Sequence, residues 1–269
     1  MSTNTPGSTS QIHSSAVISK DAKIGSNVYI GPFCVIQGQV TLGDGCRLDS
    51  HVIIGNEHGI VEIGKDNKFH AGAAVGGPPQ DLSYKGEPTK LSIGDRNVFR
   101  EFVTVNCATA KGAGVTRIGS DCLIMAYTHI AHDCQLGNHI VIANSNQLAG
   151  HVTLEDHVKM GGVCAINQFV RIGKYAFVAG DSAVNKDILP YTISSGKYAV
   201  MRATNSIGLD RAGFTKEDIE SINRAIRIVT KGGGTVEASL ARILTECTMS
   251  PSIQYFIDFM KSSSRGLAI

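Results

Sequence analysis

The chain has no tryptophan, and aromatic residues fill only 6% of its 269 positions. A core without bulky rings must be packed with aliphatic and small side chains, which suits a narrow, regular β structure. Long apolar runs are missing too: no stretch of about 18 apolar residues occurs, so nothing reads as a transmembrane helix. The formal net charge is only +2, without blocks of like charge, which speaks against a nucleic-acid partner. The seven cysteines are odd in number and form no C-x-x-C pair. That excludes a thiolate metal site of the usual spacing and argues for reduced thiols. Residues 1–11 are rich in Ser and Thr, lack both an apolar segment and Arg, and read as a disordered tail.

What the chain does have is a six-residue register. Ile12, Ile18, Ile24, Ile30, Ile36, Leu42, Leu48 and Ile54 follow one another at that interval. After a three-residue slip the register resumes at Ile63, Phe69 and Val75, returns at Ile93, Phe99 and Val105, and runs from Ile118 to Val184. Neither a helical period of 3.6 nor simple strand alternation holds such a phase. Six residues make one short strand and one corner, and three such units make an 18-residue triangular coil. The fold class expected is all-β plus α, a parallel β-helix with a small C-terminal helical domain. Gly often follows the anchor, as at Gly25, Gly31, Gly119, Gly137 and Gly173, and is expected to relieve a corner that needs φ > 0. Cys34, Cys46, Cys122, Cys134 and Cys164 share one repeat position and are expected as small buried fillers.

The β-helix is expected over 12–190, with two excursions, 76–92 and 106–117, where the register lapses. Residues 191–269 form the C-terminal part. There Thr215-x-x-Asp218 is a capping box ahead of Ile219, Ile222, Ile226 and Val229 at helical spacing. Gly232 to Gly234 stop that helix. Two more helices follow around Leu240 and Ile243, and around Phe256 and Ile257.

In an 18-residue coil, residues 18 apart lie one strand spacing apart, about 4.8 Å. His132 then stacks on Gly150 and Asp133 on His151, while Gln168 sits one coil above Gly150 and Asn167 one above Ala149. Asn144, Gly162 and Gly180 form another column. Imidazole titrates near neutral pH, so His132 can take a hydroxyl proton and return it to a leaving group. Asp133 can fix its tautomer, and the N–H of Gly150, bare of Cβ, can approach an oxyanion. The same residues also fit a solvated polar face of a β-helix. His129-x-x-His132 with His151 offers three imidazoles, the ligand type that γ-type carbonic anhydrases, also β-helical, use for zinc. No helix or tight hairpin enforces ligand geometry here, so no metal is expected.

The segment Ala126 to Cys134, with its His129-Ile-Ala-His132-Asp133 string, resembles the active-site segment of the UDP-N-acetylglucosamine O-acyltransferases. So do Gln80-Asp81-Leu82 in the first excursion, Leu148-Ala-Gly150-His151-Val152 and the closing Ser264-Arg265-Gly266-Leu267. The resemblance covers nearly the whole chain from Ile12. It implies a left-handed β-helix and transfer of an (R)-3-hydroxyacyl group from acyl carrier protein to the 3-hydroxyl of UDP-N-acetylglucosamine, the first step of lipid A biosynthesis. It implies a homotrimer without cofactor, in the cytoplasm of a Gram-negative bacterium, or in an organelle matrix if the source is eukaryotic. His132 would be the general base, Gly150 the oxyanion donor, and Asp81 a sugar contact from the neighbouring subunit. His129, His151, Asn167 and Gln168 would line the substrate site. Asn205 and Arg211 would hold the uridine diphosphate, and Gly180 would end the acyl channel. Arg171, Lys174, Lys186, Lys197 and Arg202 are the candidate docking face for the acidic carrier protein.

This sequence departs from the family pattern at Ser83, Asn106, Cys107, Asn167, Tyr198, Ile207 and Ala212, all around the acceptor rather than the base. Two alternatives therefore stand beside ester formation. One is acylation of a 3-amino sugar nucleotide; the other is a catalytically silent β-helical scaffold.

Overall fold

In the computed structural model the repeat winds into a three-sided prism of parallel strands, and the structure describes residues 10–232 and 234–269. Residues 1–9 of the expected tail, and Gly233 of the glycine triplet, lie outside the described residues. Gln11 pairs with Tyr29 and so belongs to the first coil rather than to a tail. Two-residue strands such as His129–Ile130 alternate with corners, and His129 pairs with Gln147, which is 18 residues on, as is Ala165 from Gln147. One face is an 11-stranded sheet; the other two merge into a 15-stranded sheet because Val35–Leu42 and Ile53–Ile63 run on round a corner.

The anchors point inward. Ile30, Leu48, Ile124, Ile130 and Leu148 are fully buried, and Phe69 stacks on Phe99 with ring centres 4.9 Å apart. Only the first coil breaks the rule, with Ile12 exposed at the open end of the prism. Three insertions lengthen coils without disturbing the stack. The three-residue slip lies at Asn56–Gly59, where Asn56 Oδ1 accepts the N–H groups of His58 and Gly59 at 2.9 and 2.7 Å. The two excursions are shorter than their lapsed register suggests, spanning 78–89 and 107–114. Ala74–Gly77, Lys90–Ile93, Thr104–Asn106 and Val115–Ile118 pair as strands on either side of them.

The corners correct one expectation. Gly25, Gly31, Gly119, Gly137 and Gly173 do not supply positive φ, although Gly55 and Gly76, beside the insertions, do. Elsewhere that conformation falls two residues after the anchor-following position, mostly on residues with side chains, as at Tyr127, Asp133, His139, His151 and His157. Such a conformation costs of order 1 kcal/mol or more per residue. It is held because each corner N–H donates down to the coil below, as from His151 to His132 O at 3.0 Å and from Val163 to Asn144 O at 2.9 Å. Stacked rings add to this: His139 on His157 at 4.8 Å, and His157 on Tyr175 at 4.5 Å. The anchor-following glycines answer to crowding instead. A Cβ on Gly25 would lie 2.7 Å from Asp44 N, and one on Gly173 would lie 2.7 Å from Pro190 N.

Beyond Pro190 the last face is extended by a hairpin, Thr192–Gly196 with Ala199–Thr204. Then come α1 (Ser206–Arg211), α2 (Lys216–Lys231), α3 (Val236–Glu246) and α4 (Pro251–Ser262). Thr215 caps α2 by accepting the N–H of Asp218 at 3.1 Å, as the capping box requires. The hairpin and α1 had no counterpart in the sequence reading. Ile222, Ile226, Ile253, Phe256 and Phe259 bury a second core together with Leu189 and Tyr191 from the prism's end. Arg171 fastens α4 there, stacking on Phe259, pairing with Glu155 at 2.6 Å and donating to Ser262 Oγ at 2.8 Å. Among the described residues no helix is long and apolar enough to cross a membrane.

Polar side chains also enter the prism, at the repeat position that the cysteines share. Asn97 Nδ2 donates to Asn67 Oδ1 at 3.0 Å and to Gly119 O at 2.9 Å, and its Oδ1 accepts from Cys122 N at 2.8 Å. Three coils are thereby tied through one buried amide. Asn97→Leu would leave these partners unpaired in an apolar interior, where each costs about 1–3 kcal/mol. A loss of roughly 3–5 kcal/mol is expected in denaturant unfolding, with the far-ultraviolet spectrum of the folded state unchanged.

Candidate active site

The side chains that the 18-residue stack brings together centre on two consecutive corner residues. His132 and Asp133 are 5% and 3% exposed, and the excursion at 107–114 folds over Asp133. His132 Nδ1 lies 2.8 Å from Asp133 Oδ2. A carboxylate only accepts, so Nδ1 carries the proton and Nε2 is the free basic nitrogen. Thr109 also donates to Oδ2, from its N–H at 3.1 Å and its hydroxyl at 2.8 Å. Thr116 Oγ1 accepts the N–H of Asp133 at 2.8 Å and fixes its backbone.

One coil on, Gly150 faces the imidazole. A Cβ at Gly150 would lie 2.6 Å from His132 Cε1 and 2.8 Å from Nε2, so only glycine leaves the ring its place. Among the described residues the N–H of Gly150 has no acceptor. His151 stands edge-on to His132 with ring centres 5.3 Å apart, its Nε2 3.8 Å from Asp133 Oδ2, and stacks on Phe169. His129 turns the other way: its Nδ1 meets the Thr104 hydroxyl at 2.7 Å. Desolvation, reinforced by the nearby charge of His132, holds the His129 pKa below the ordinary value. The three-histidine zinc set is thus not assembled. His132, Asp133 and His151 do have ligand atoms within 4.8 Å of one another, but Oδ2 already accepts three hydrogen bonds. Cys134, next in sequence, points inward, and burial pushes its thiol up to about 12, so it offers no competing nucleophile.

Asp81 lies in the first excursion. Hydrogen bonds from Ser83, including its N–H at 2.6 Å, hold the carboxyl below the usual carboxylate range, and the charges of His132 and Lys111 add to this. Asn167 and Gln168 are exposed beside Ala149, Phe169 and Arg265. Gly180 lies beside Gly162 one coil below, its missing Cβ 3.1 Å from Gly162 O. Asn205 and Arg211 do not join His129, His132 and His151. They line a separate cleft with His157, Lys159, Tyr175 and Ile207 between the prism and α1. There the Asn205 side chain caps α1, accepting from Gly208 N at 3.2 Å and donating to Tyr175 O at 2.8 Å.

The C-terminal residues 187–268 match the family model of the UDP-N-acetylglucosamine O-acyltransferase, domain 2. The bacterial transferase hexapeptide repeat matches at 7–38, 21–56 and 116–150. Among solved structures, LpxA from Acinetobacter baumannii is 40% identical, with TM-score 0.92, over 96% of this chain and 99% of that one. The UDP-N-acetylglucosamine O-acyltransferase of Moraxella catarrhalis is 39% identical, with TM-score 0.91 over 96% and 99%. The UDP-N-acetylglucosamine acyltransferase of Arabidopsis is 32% identical, with TM-score 0.80 over 96% and 100%. The chain belongs to the UDP-N-acetylglucosamine O-acyltransferase family.

Several departures from the family pattern have structural work within this chain. Asn106 Nδ2 donates to Pro78 O at 2.7 Å, joining the two excursions. Cys107 faces inward onto Gly76 O and Asn56, and its thiol is pushed up to about 12 by burial. Tyr198 and Ile207 instead lie on the surface. Three docking candidates are internally paired, Arg171 to Glu155, Lys174 to Asp156 and the Tyr255 ring, and Lys197 to Asp181 at 2.7 Å. Thr109 and Thr116, which orient Asp133, were not foreseen; they lie in and beside a loop with no period, where stacking arithmetic does not reach.

Gly150→Ala tests the fit between glycine and imidazole. Gly150 does not occupy a positive-φ position, so the variant is expected to fold. Its crystal structure should show the His132 ring displaced and the 2.8 Å contact with Asp133 broken.

Proposed function

We propose that this chain transfers an (R)-3-hydroxyacyl group from acyl carrier protein to the 3-hydroxyl of UDP-N-acetylglucosamine, the first step of lipid A biosynthesis. The observation that carries the reading is the buried His132–Asp133 pair facing Gly150, in a chain of this family. In this mechanism Nε2 of His132 takes the proton of the sugar hydroxyl as its oxygen attacks the thioester carbonyl. The Gly150 N–H holds the oxyanion and Asp133 stabilises the imidazolium. Collapse expels the thiol sulfur, which takes the proton back from His132. Atoms and charge balance without a cofactor.

The remaining residues take roles around that centre. Asp81 contacts the sugar from the adjoining subunit, and His129, His151, Asn167 and Gln168 line the acceptor and donor paths. Arg211 supplies charge for the diphosphate, while Asn205 holds α1 and with it Arg211 in place. Gly180, without a side chain over Gly162, leaves the acyl channel long, for a chain of roughly fourteen carbons. Lys186 and Arg202 remain as docking cations for the acidic carrier, and Lys197 would join them by leaving Asp181. The prism over 12–190 thus carries the chemistry, and 191–269 completes the nucleotide cleft. The seven cysteines are free and buried, which suits a reducing compartment, the cytoplasm.

We also propose the homotrimer. Phe33, Phe102, Tyr127 and Val163 line one edge of the prism, and Val17 and Ile53 the adjoining face, all exposed in the single chain. Exposed apolar groups gathered along one edge and its adjoining face call for a partner surface. Light scattering should give three times the 28.5 kDa of one chain; a stable monomer with full activity would remove the intersubunit role of Asp81.

The decisive assay pairs a ladder of (R)-3-hydroxyacyl carrier proteins with UDP-N-acetylglucosamine and with its 3-amino analogue. Turnover of the hydroxyl sugar is expected, peaking at the longer chains. His132→Ala should lower kcat by roughly 10²–10⁴, the usual worth of a positioned base. Turnover of the amine alone would make the product an amide, and silence with both acceptors would leave a scaffold.

A further inference from the structure

Asp133 occupies a corner with φ of 61°. Asp66 and Asp181 sit at equivalent corners and stay in solvent. What sets Asp133 apart is the loop 107–114 laid over its side chain. A buried carboxylate needs donors, and here they converge on one oxygen. Oδ2 accepts from Thr109 N at 3.1 Å, Thr109 Oγ1 at 2.8 Å and His132 Nδ1 at 2.8 Å, while Oδ1 takes no hydrogen bond from any described residue.

That convergence matters because the terminal torsion of an aspartate is broad. Sterics alone do not fix the angle at which a carboxylate oxygen meets the imidazole. The hydroxyl of Thr109 has a single proton, and Gly112 N donates to the same hydroxyl oxygen at 3.2 Å. That bond occupies a lone pair and leaves the proton aimed at Asp133. Gly112 itself lies so close that any Cβ there would run into the Asp133 carboxylate. Thr116 fixes the backbone of Asp133, and Thr109 fixes its carboxylate.

We propose that Thr109 is a positioning residue for the base: it fixes the angle of the Asp133 carboxylate, so that an oxygen stays aimed at His132 Nδ1 and holds the ring in the Nδ1–H tautomer. The inference rests on the reading of His132 as base. Thr109 makes no hydrogen bond to His132 or Gly150, so it acts through Asp133. The loop is thereby part of the catalytic machinery through one hydroxyl, although it contributes no group to the reacting atoms.

The test compares the full-length protein with Thr109→Val, Thr109→Ser and His132→Ala, each checked for folding by thermal denaturation. With saturating substrates, T109V should lose roughly tenfold to a hundredfold in kcat, the scale of one hydrogen bond to a charged group. KM for both substrates should stay within about twofold, and T109S should recover most of the rate. In ¹⁵N-histidine spectra, with H132A giving the assignment, the protonated Nδ1 signal of His132 should give way to a tautomer mixture in T109V. An unchanged kcat in T109V would overturn the proposal. So would a single tautomer persisting as the rate falls, or T109S as impaired as T109V. Should T109V not fold, T109S against T109A makes the same comparison of hydroxyl with none. If H132A keeps its activity, the base assignment fails, and the tautomer spectra still report whether Thr109 orients the ring.

Discussion

Each coil of the prism must return to its own starting register, because its backbone hydrogen bonds go to the coil below and above. With two-residue strands there is little ladder per face to absorb an error, so closure is demanded at every turn. Much else answers to that demand. The corners accept residues such as Tyr127 and His157 in a left-handed conformation because the N–H released there finds the carbonyl beneath it. Glycine follows the anchor where the neighbouring backbone comes closest. Asn56 answers a carbonyl and two amides at the three-residue slip, and Asn67 and Asn97 answer corner carbonyls of the next coil.

The reacting centre is a consequence of the same closure. His132 and Gly150 are 18 positions apart in the chain and adjacent in space because a coil separates them. The base and the amide facing it therefore need no mobile loop to meet. What the fold does not supply by itself is shelter for the carboxylate, which a corner would leave in water. The loop at 107–114 provides it, and Asn106 ties that loop to the first excursion, where Asp81 resides.

These two origins explain what was legible in the sequence. The period fixed the architecture, the inward anchors and the column of His132, Gly150 and Gln168, since stacking arithmetic needs only sequence distance. The buried cysteines followed from sharing one position of the repeat. The same arithmetic misread the glycines, because Gly25 and Gly173 mark crowding between coils, which a single coil does not contain. It stopped short at the excursions, whose first and last residues still pair as strands. It also missed the hairpin after Pro190, where pairing turns antiparallel and the six-residue phase ends. Thr109 and Thr116 were beyond it, being brought to Asp133 by an aperiodic stretch.

The 18-residue rise makes length in this architecture a quantised property. Adding or removing a whole coil away from the site would leave His132 beneath Gly150 and every face in its place. A single residue gained or lost between them would turn the imidazole toward a different face and break the pairing of Gln147 with His129. Lineages built on this prism should therefore tolerate change in steps of one coil, or as loops bulging from a corner, as at 78–89 and 107–114. Between Asp133 and Gly150 the chain is effectively frozen in length while remaining free in sequence on its outer face.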